Sequence, residues 1–333
     1  MIIIQSKCGR PVLRAISVLM CVASMLLPKL SDAQAAYPQK PVKVVVAFTA
    51  GGTTDILARI VAQQLTEKLK QPFVIDNKPG AGGNLGTEIV VKAPADGYTL
   101  IVNSVGPMAV NSTLYGKLPY NPLVDLVPIV QIADVPNVLV VNPSVPAKNM
   151  EEFLAYAKVN EGKLNYGSTG VGTSSHLSSF MLAKRAGFTA THIPYKGADA
   201  LKDLLAGRIQ FMFATIPSVM PQIQAGKLRP LAVSSLKRSR SMPDIATVIE
   251  TGLPNFEAGS WFGFFAPKGT PDVVISTLNK AVNEILSSPA LEQQMVAQGA
   301  DPAGGTPAQF GQFVQRETDK WRVIVKESGA KAE

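Results

Sequence analysis

From residue 43 onward the chain alternates short apolar, β-branched runs with stretches whose apolar residues recur at helical spacing, the pattern of α/β layers. Residues 43–48 predict a first strand and 53–70 a helix, with Leu57, Ile60, Val61, Leu65 and Leu69 on one face. Strands follow at 73–77 and 98–103, with a helix over about 85–93 between them that Pro94 ends. Residues 128–141 are extended and apolar, broken by Pro136, and suit a passage from one lobe to another. A second series then begins, with helices at 150–159, 174–185, 198–206 and 217–225. Each leads to a strand, at 163–166, 191–194, 209–214 and 231–233. Gly187, Gly207 and Gly226 stand just past three of these helices, where a left-handed cap is wanted.

After a Pro/Gly-containing connection, 242–255, one more strand is expected at 261–266. Helices at about 271–287, 289–298 and 307–327 close the chain, with no strand expected between them. They must therefore pack on an existing sheet, and the first lobe is the natural host. That implies a discontinuous first domain, an inserted second domain, and two crossing segments that form a hinge over a cleft.

The first residues read as an address. Lys7, Arg10 and Arg14 precede an apolar run, 15–27, too short to span a bilayer, and Ala33-Gln34-Ala35 offers a small-residue cleavage site. Residues 1–35 are expected to be a signal peptide, 36–136 with 243–333 the first lobe, and 137–242 the second. Both cysteines, Cys8 and Cys21, lie in the leader, so the mature chain has no disulfide, thiolate metal site or cysteine nucleophile. Removing Lys7, Arg10, Arg14, Lys29 and Asp32 takes the formal charge from +8 to +5, a field that favours anionic solutes. Basic residues do not cluster with aromatics outside the loop Lys237-Arg238-Ser239-Arg240, so nucleic-acid binding is not expected.

Two loops carry the candidate chemistry. Residues 44–59 read as a buried strand, a glycine turn at Gly51 and Gly52, and a helix start at Thr53 and Thr54. Such a joint aims free backbone N–H groups and a helix dipole at one point, which suits an anion. Asp55 and Arg59, four apart, are placed to pair. The same segment also fits an ordinary strand–turn–helix joint. The second loop, 166–176, again follows a strand and opens a helix, with Thr173 or Ser174 as cap and Ser168, Thr169 and Thr173 as neutral donors. Two such loops on two lobes would clamp a small carboxylate. Tyr195-Lys196-Gly197 follows a strand end and suits a third wall.

Other chemistries fit less well. Gly80 and Gly82 are followed by Leu85, and Gly170 and Gly172 by Ser175, where a dinucleotide fingerprint needs a third glycine. No nucleotide cofactor is expected. A serine hydrolase using Ser168 or Ser174 with His176 lacks both the G-x-S-x-G elbow and an acidic partner. His176 and His192, the only histidines, do not make a zinc site.

Phe48 to Asp55 with Ala58-Arg59, Asn77 to Asn84, Asp96 to Leu100, Tyr166-Gly167-Ser168 with His176-Leu177, and His192 to Gly197 form a recognisable set. Trp261-Phe262-Gly263 and Gly269-Thr270-Pro271 complete it. In order and spacing the chain resembles the Bug-type extracytoplasmic solute receptors of tripartite tricarboxylate transporters. The resemblance implies a two-lobed, type II Venus-flytrap periplasmic binding protein without catalysis, metal or cofactor. It also implies a periplasmic location and delivery of a small carboxylate to a membrane permease by a monomer. The expected ligand-binding residues are Phe48, Thr49, Ala50, Gly51, Gly52, Thr53, Thr54, Asp55, Asn84, Ser168, Thr169, Gly170, Gly172, Thr173 and Tyr195. The family pattern has proline around positions 49 and 50, where this chain has Thr49 and Ala50; the expectation is a looser turn and an added donor. A ligand-dependent sensor partner would use the same fold, and an exported enzyme acting on a small acid is the remaining alternative.

Overall fold

The structure, a computed structural model, describes residues 2–3 and 37–332. Apart from residues 2 and 3, the leader expected over 1–35 lies outside the described residues. The chain divides into residues 1–39 and residues 40–333, and every element below belongs to the second unit. Among the described residues no helix is long and apolar enough to cross a membrane.

The strand β1 (Val42–Val46) buries four of its five valine and lysine positions, as a strand covered on both faces requires. It runs parallel to β2 (Phe73–Asn77) on one side and β3 (Thr99–Ser104) on the other. Between β1 and β2, α1 (Thr53–Leu69) buries Leu57, Ala58, Val61, Ala62 and Leu65 and stops where Lys70 turns left-handed. A short 3₁₀ turn, Ala81–Gly83, then leads into α2 (Asn84–Val91). Gly86 lets α2 lie on the end of β1: a Cβ there would sit 2.8 Å from the Ala47 Cα.

After β3 comes a helical stretch that the sequence pattern misses, a π-turn at Gly106–Val110 followed by α3 (Asn111–Leu114). Residues 105–111 are all buried, so no polar face marks a helical period. A single turn, α4 (Pro122–Asp125), precedes β4 (Leu126–Val135). Pro136 alone separates β4 from β5 (Asn137–Val141), and the two strands belong to different sheets.

The second sheet is built from α5 (Met150–Val159), β6 (Leu164–Ser168), α6 (Ser174–Ala186), β7 (Ala190–Pro194), α7 (Asp199–Leu205), β8 (Phe211–Thr215), α8 (Ile216–Gln224) and β9 (Arg229–Val233). Its strand order is β7-β6-β8-β5-β9, with β5 antiparallel to both neighbours. Gly187, Gly207 and Gly226 adopt φ of 71°, 72° and 68°, as the left-handed caps require.

The chain returns to the first sheet as β10 (Ser260–Pro267), which pairs antiparallel with β3 and β4. The last elements are α9 (Asp272–Leu286), α10 (Pro289–Ala297), β11 (Asp301–Gly304) and α11 (Pro307–Ser328). The strand β11 corrects the expectation of helices alone. It extends the first sheet to the order β11-β4-β10-β3-β1-β2. Asp-Pro-Ala-Gly carries no β-branched alternation, and only the free edge of β4 makes it a strand, an edge position that tolerates Pro302. α9 and α11 pack on β4, as expected of helices hosted by the first lobe, and α11 also touches α6.

Where the lobes join, Asn137 is fully buried. Its backbone N–H donates to Ser234 Oγ at 3.0 Å and its carbonyl accepts from the Ser234 N–H at 2.8 Å. Its side-chain amide donates to Ser178 Oγ at 3.0 Å and to the Ala258 carbonyl at 2.7 Å. Asn137→Ala removes both side-chain amide bonds and leaves a void in the interior, and should lower the unfolding free energy by about 1–3 kcal/mol. Urea unfolding with an unchanged m-value measures it; an unchanged midpoint would contradict the role given to this residue.

Candidate ligand-binding cleft

Beyond β1 the chain turns through Gly51, whose φ of +81° is left-handed, and enters α1. Thr53 and Thr54, the expected helix start, are the first two residues of α1 and neither caps it. Gly52 occupies the N-cap position with extended backbone and no side-chain cap bond. The N–H groups of Thr53 and Thr54 belong to the first turn, which has no intrahelical acceptors for them. Both residues line the cleft. Asp55 turns away from it. Its Oδ2 accepts from the Gly51 N–H at 3.0 Å and from Arg59 Nε at 3.0 Å, and its Oδ1 accepts from Asn77 Nδ2 at 3.0 Å. Burial raises the Asp55 carboxyl, but Arg59, Gly51 and Asn77 outweigh it and hold the group below its ordinary value. The carboxylate therefore ties the turn to the helix, and Arg59 neutralises it at 2.9 Å.

In the second lobe β6 ends at Ser168, and Thr173 caps α6 by accepting from the His176 N–H at 3.4 Å. The Thr173 hydroxyl also donates to the Gly170 carbonyl at 2.7 Å. Ser168 is fully buried; it donates to the Gly170 carbonyl, accepts from the Gly170 N–H and meets His192 Nε2 at 2.7 Å. His176 Nδ1 accepts from the Gly172 N–H at 3.3 Å. The two imidazoles stack with centroids 3.9 Å apart, and Tyr166 stacks on His192 at 5.0 Å. The histidines are thus scaffold for the glycine loop. Burial pushes His176 down to about 4, and burial with the neighbouring His176 pushes His192 down to about 3.

The two loops face one cavity of about 90 Å³. Of the expected residues, Phe48, Thr49, Gly51, Gly52, Thr53, Thr54, Thr169 and Thr173 line it. Gly170 and Tyr195 line an adjoining recess with Lys196. Asp55, Asn84, Ser168 and Gly172 stand behind the wall. Asn84 accepts from Asn111 Nδ2 at 2.7 Å and from the Tyr120 hydroxyl at 2.9 Å, and Asn111 also donates to the Gly82 carbonyl. Ala50 is exposed and outside the lining.

The third wall expected after Tyr195 is present as Gly197 and Ala198. The Ala198 N–H donates to Thr49 Oγ1 at 3.2 Å, and a Cβ on Gly197 would lie 2.2 Å from that oxygen. Thr53 and Thr215 hydroxyls meet across the cleft at 2.7 Å. The lobes therefore touch through the loops that line the cavity. Residues not singled out from sequence complete it, among them Ser104, Val105, Met212, Thr215, Ser218 and Ser260, while Phe262 was named only within the family pattern. Several sit at strand ends, the place where α/β sheets bind ligands.

Two α/β lobes that close on a cavity of amides and hydroxyls, with no acid–base pair lining it, define a solute-binding receptor. Residues 57–330 match the tripartite tricarboxylate transporter family receptor, and the chain belongs to that family. Its members are periplasmic receptors and not enzymes. The chain is 38% identical over 321 residues to protein BugT of Bordetella pertussis, covering 96% of this chain and 98% of that protein. Among solved structures, R. palustris Rpa4515 with adipate superposes with a TM-score of 0.87 at 38% identity, covering 89% of this chain and 99% of that one. The periplasmic binding protein BugD superposes with a TM-score of 0.85 at 35% identity, covering 89% of this chain and 100% of that one.

The histidine pair sets a pH dependence. Both groups titrate below their ordinary value when folded, so the unfolded chain takes up protons first as pH falls. Their contribution is complete above about pH 6.5 and is lost on the way down to about pH 3–4. Unfolding free energies measured from pH 7 to pH 5 should fall, and should fall less steeply in His192→Gln; equal slopes would contradict the assignment.

Proposed function

We propose that this protein captures a small carboxylate between its lobes and delivers it to the membrane permease of a tripartite tricarboxylate transporter. The observation that carries the reading is the convergence of two helix N-termini, those of α1 and α6, on one cavity. Orphan N–H groups at Thr53, Thr54, Ser174 and Ser175 and the hydroxyls of Thr54 and Thr169 make a neutral donor set. Such donors suit an anion without needing a cation. The adipate in Rpa4515, a structural relative, supports a carboxylate. In this reading Phe48 to Thr54 and Thr169 to Thr173 are the jaws, and Asp55, Asn84, Ser168 and Gly172 hold them in shape.

The lobes of this reading are 36–136 with 243–333 and 137–242, supported by the separate sheets on either side of Pro136. Export follows from a leader cleaved after Ala35. Ligand-driven closure presents a combined surface of both lobes to the permease.

Thermal unfolding against a panel of carboxylates, amino acids, sugars and phosphates tests the reading. A ligand at a hundred times its dissociation constant adds about 2.7 kcal/mol, a shift of several degrees. A response confined to carboxylates is expected; a response confined to sugars or phosphates would contradict it. Thr53→Pro tests the jaw itself. Proline is tolerated at the first helical position, and Gly52, with φ −80° and ψ 164°, is already in the conformation that precedes proline. The variant removes one N–H from the cleft while keeping α1. Carboxylate binding should weaken at least tenfold relative to Thr53→Val, which removes only the hydroxyl; equal affinities would mean the amide is not used.

A further inference from the structure

We infer that Thr49 determines how long a ligand this cleft accepts: its side chain is a bar between two chambers, and removing that bulk admits a longer acid. The inference rests on the carboxylate reading above and concerns how far a ligand extends beyond its bound carboxylate. Two spaces meet at this residue, the cavity of about 90 Å³ on one side and the recess, of about 50 Å³, on the other. Phe48, Thr49, Thr169 and Gly197 line both spaces, and so form the wall between them.

Within that wall Thr49 is half-buried and pinned at both ends. Its carbonyl accepts from the Gly52 N–H at 3.4 Å, and the preceding Phe48 carbonyl accepts from Asn77 Nδ2 at 3.0 Å, which fix the backbone in the first jaw. Its Oγ1 accepts from the Ala198 N–H at 3.2 Å, so the side chain is tied to the opposite loop. That loop is itself held, because the Gly197 N–H donates to the Thr169 carbonyl at 3.1 Å. The approach is close enough that a Cβ on Gly197 would lie 2.2 Å from Thr49 Oγ1. A threonine on an open loop could swing aside for a ligand; one bonded across the cleft stays in its path. The family pattern has proline around this position, and proline has no hydroxyl with which to cross.

The bar matters because the rest of the cavity rewards length. Ala200, Leu201, Met212, Val219 and Phe262 give it a carbon surface. Each ligand methylene buried against such a surface strengthens binding about fourfold. The gain ends where the chain meets Thr49, since a further methylene must displace a pinned side chain. Opening the wall at this point adds the recess, more than half as much space again.

Calorimetric titration of the purified protein at neutral pH with two straight-chain series, the dicarboxylates from succinate to sebacate and the monocarboxylates from butanoate to nonanoate, tests the inference. In the parent, affinity should climb to an optimum length and fall at least tenfold within two further methylenes. Thr49→Ala should move the optimum at least two methylenes longer; Thr49→Gly serves the same purpose should the first variant not fold. Thr49→Val keeps the shape and loses the bond to Ala198. It should keep the parent's optimum while weakening every length by one common factor of about three to ten. An unmoved optimum in Thr49→Ala would overturn the inference and leave the carboxylate reading intact. An equal shift in Thr49→Val would do the same, because the bond and not the bulk would then set the length. If no acid of either series binds while another carboxylate of the panel does, the inference alone falls. Silence across the whole carboxylate panel would overturn both.

Discussion

Asn137 stands where the chain leaves one sheet for the other, and the arrangement of both lobes depends on how that crossing is satisfied. Every polar group there is out of reach of solvent, so each must find a partner inside the protein. Asn137 binds the returning segment at Ser234 and Ala258 and, through Ser178, the helix α6. Ser178 and Ser234 also donate to the Ala258 carbonyl. One buried network thus links the two crossing segments to the helix whose first turn forms the second jaw. In the proposed reading a rotation of the lobes passes through these bonds, and closure is coupled to the position of α6.

In the proposed reading the jaws solve the same problem in a different way, by leaving donors unpaired for a ligand. At α1 the Asp55 carboxylate would repel an anion if it faced the cleft. It is instead folded back onto Gly51, Arg59 and Asn77, so the helix keeps its free first-turn amides and presents no net negative charge. At α6 the Thr173 hydroxyl and the stacked histidines shape a glycine loop whose exposed amides do the same work. Burial keeps both imidazoles neutral, so this loop does not gain a titrating cation near neutral pH. Recognition by dipoles, without a formal positive charge, spares the protein the burial of a cation that would need a partner in its absence.

Much of this was legible in the sequence because it is written locally. Valine runs gave β1 and β5, helical spacing gave α1 and α5, and the residue order Gly51-Gly52-Thr53 and Thr173-Ser174 marked both helix starts. The crossing at Pro136 was visible as a break in an apolar run. What failed to show was made by partners distant in the chain. Residues 105–111 are buried on every side and lack an amphipathic period. The strand β11 exists only because β4 offers an edge. Thr215, Ser218 and Ser260 carry no local sign of a cleft, and Thr215 meets Thr53 across more than a hundred residues of chain. Asp55 was read as the partner of Arg59, and it is; its turn onto Asn77 was not visible, because position in sequence cannot tell what is folded beside a carboxylate.

The central claim is that a carboxylate held by α1 and α6 at once draws the two lobes together. The only cysteines are Cys8 and Cys21, within the leader proposed over residues 1–35, so spin labels can be placed at will in the remaining chain. Labels at Gln63→Cys on α1 and Lys158→Cys on α5, both exposed positions, report the interlobe distance by double electron–electron resonance. Saturation with a bound carboxylate should shorten and narrow the distance distribution. A carboxylate that binds tightly and leaves the distribution unchanged would contradict the account.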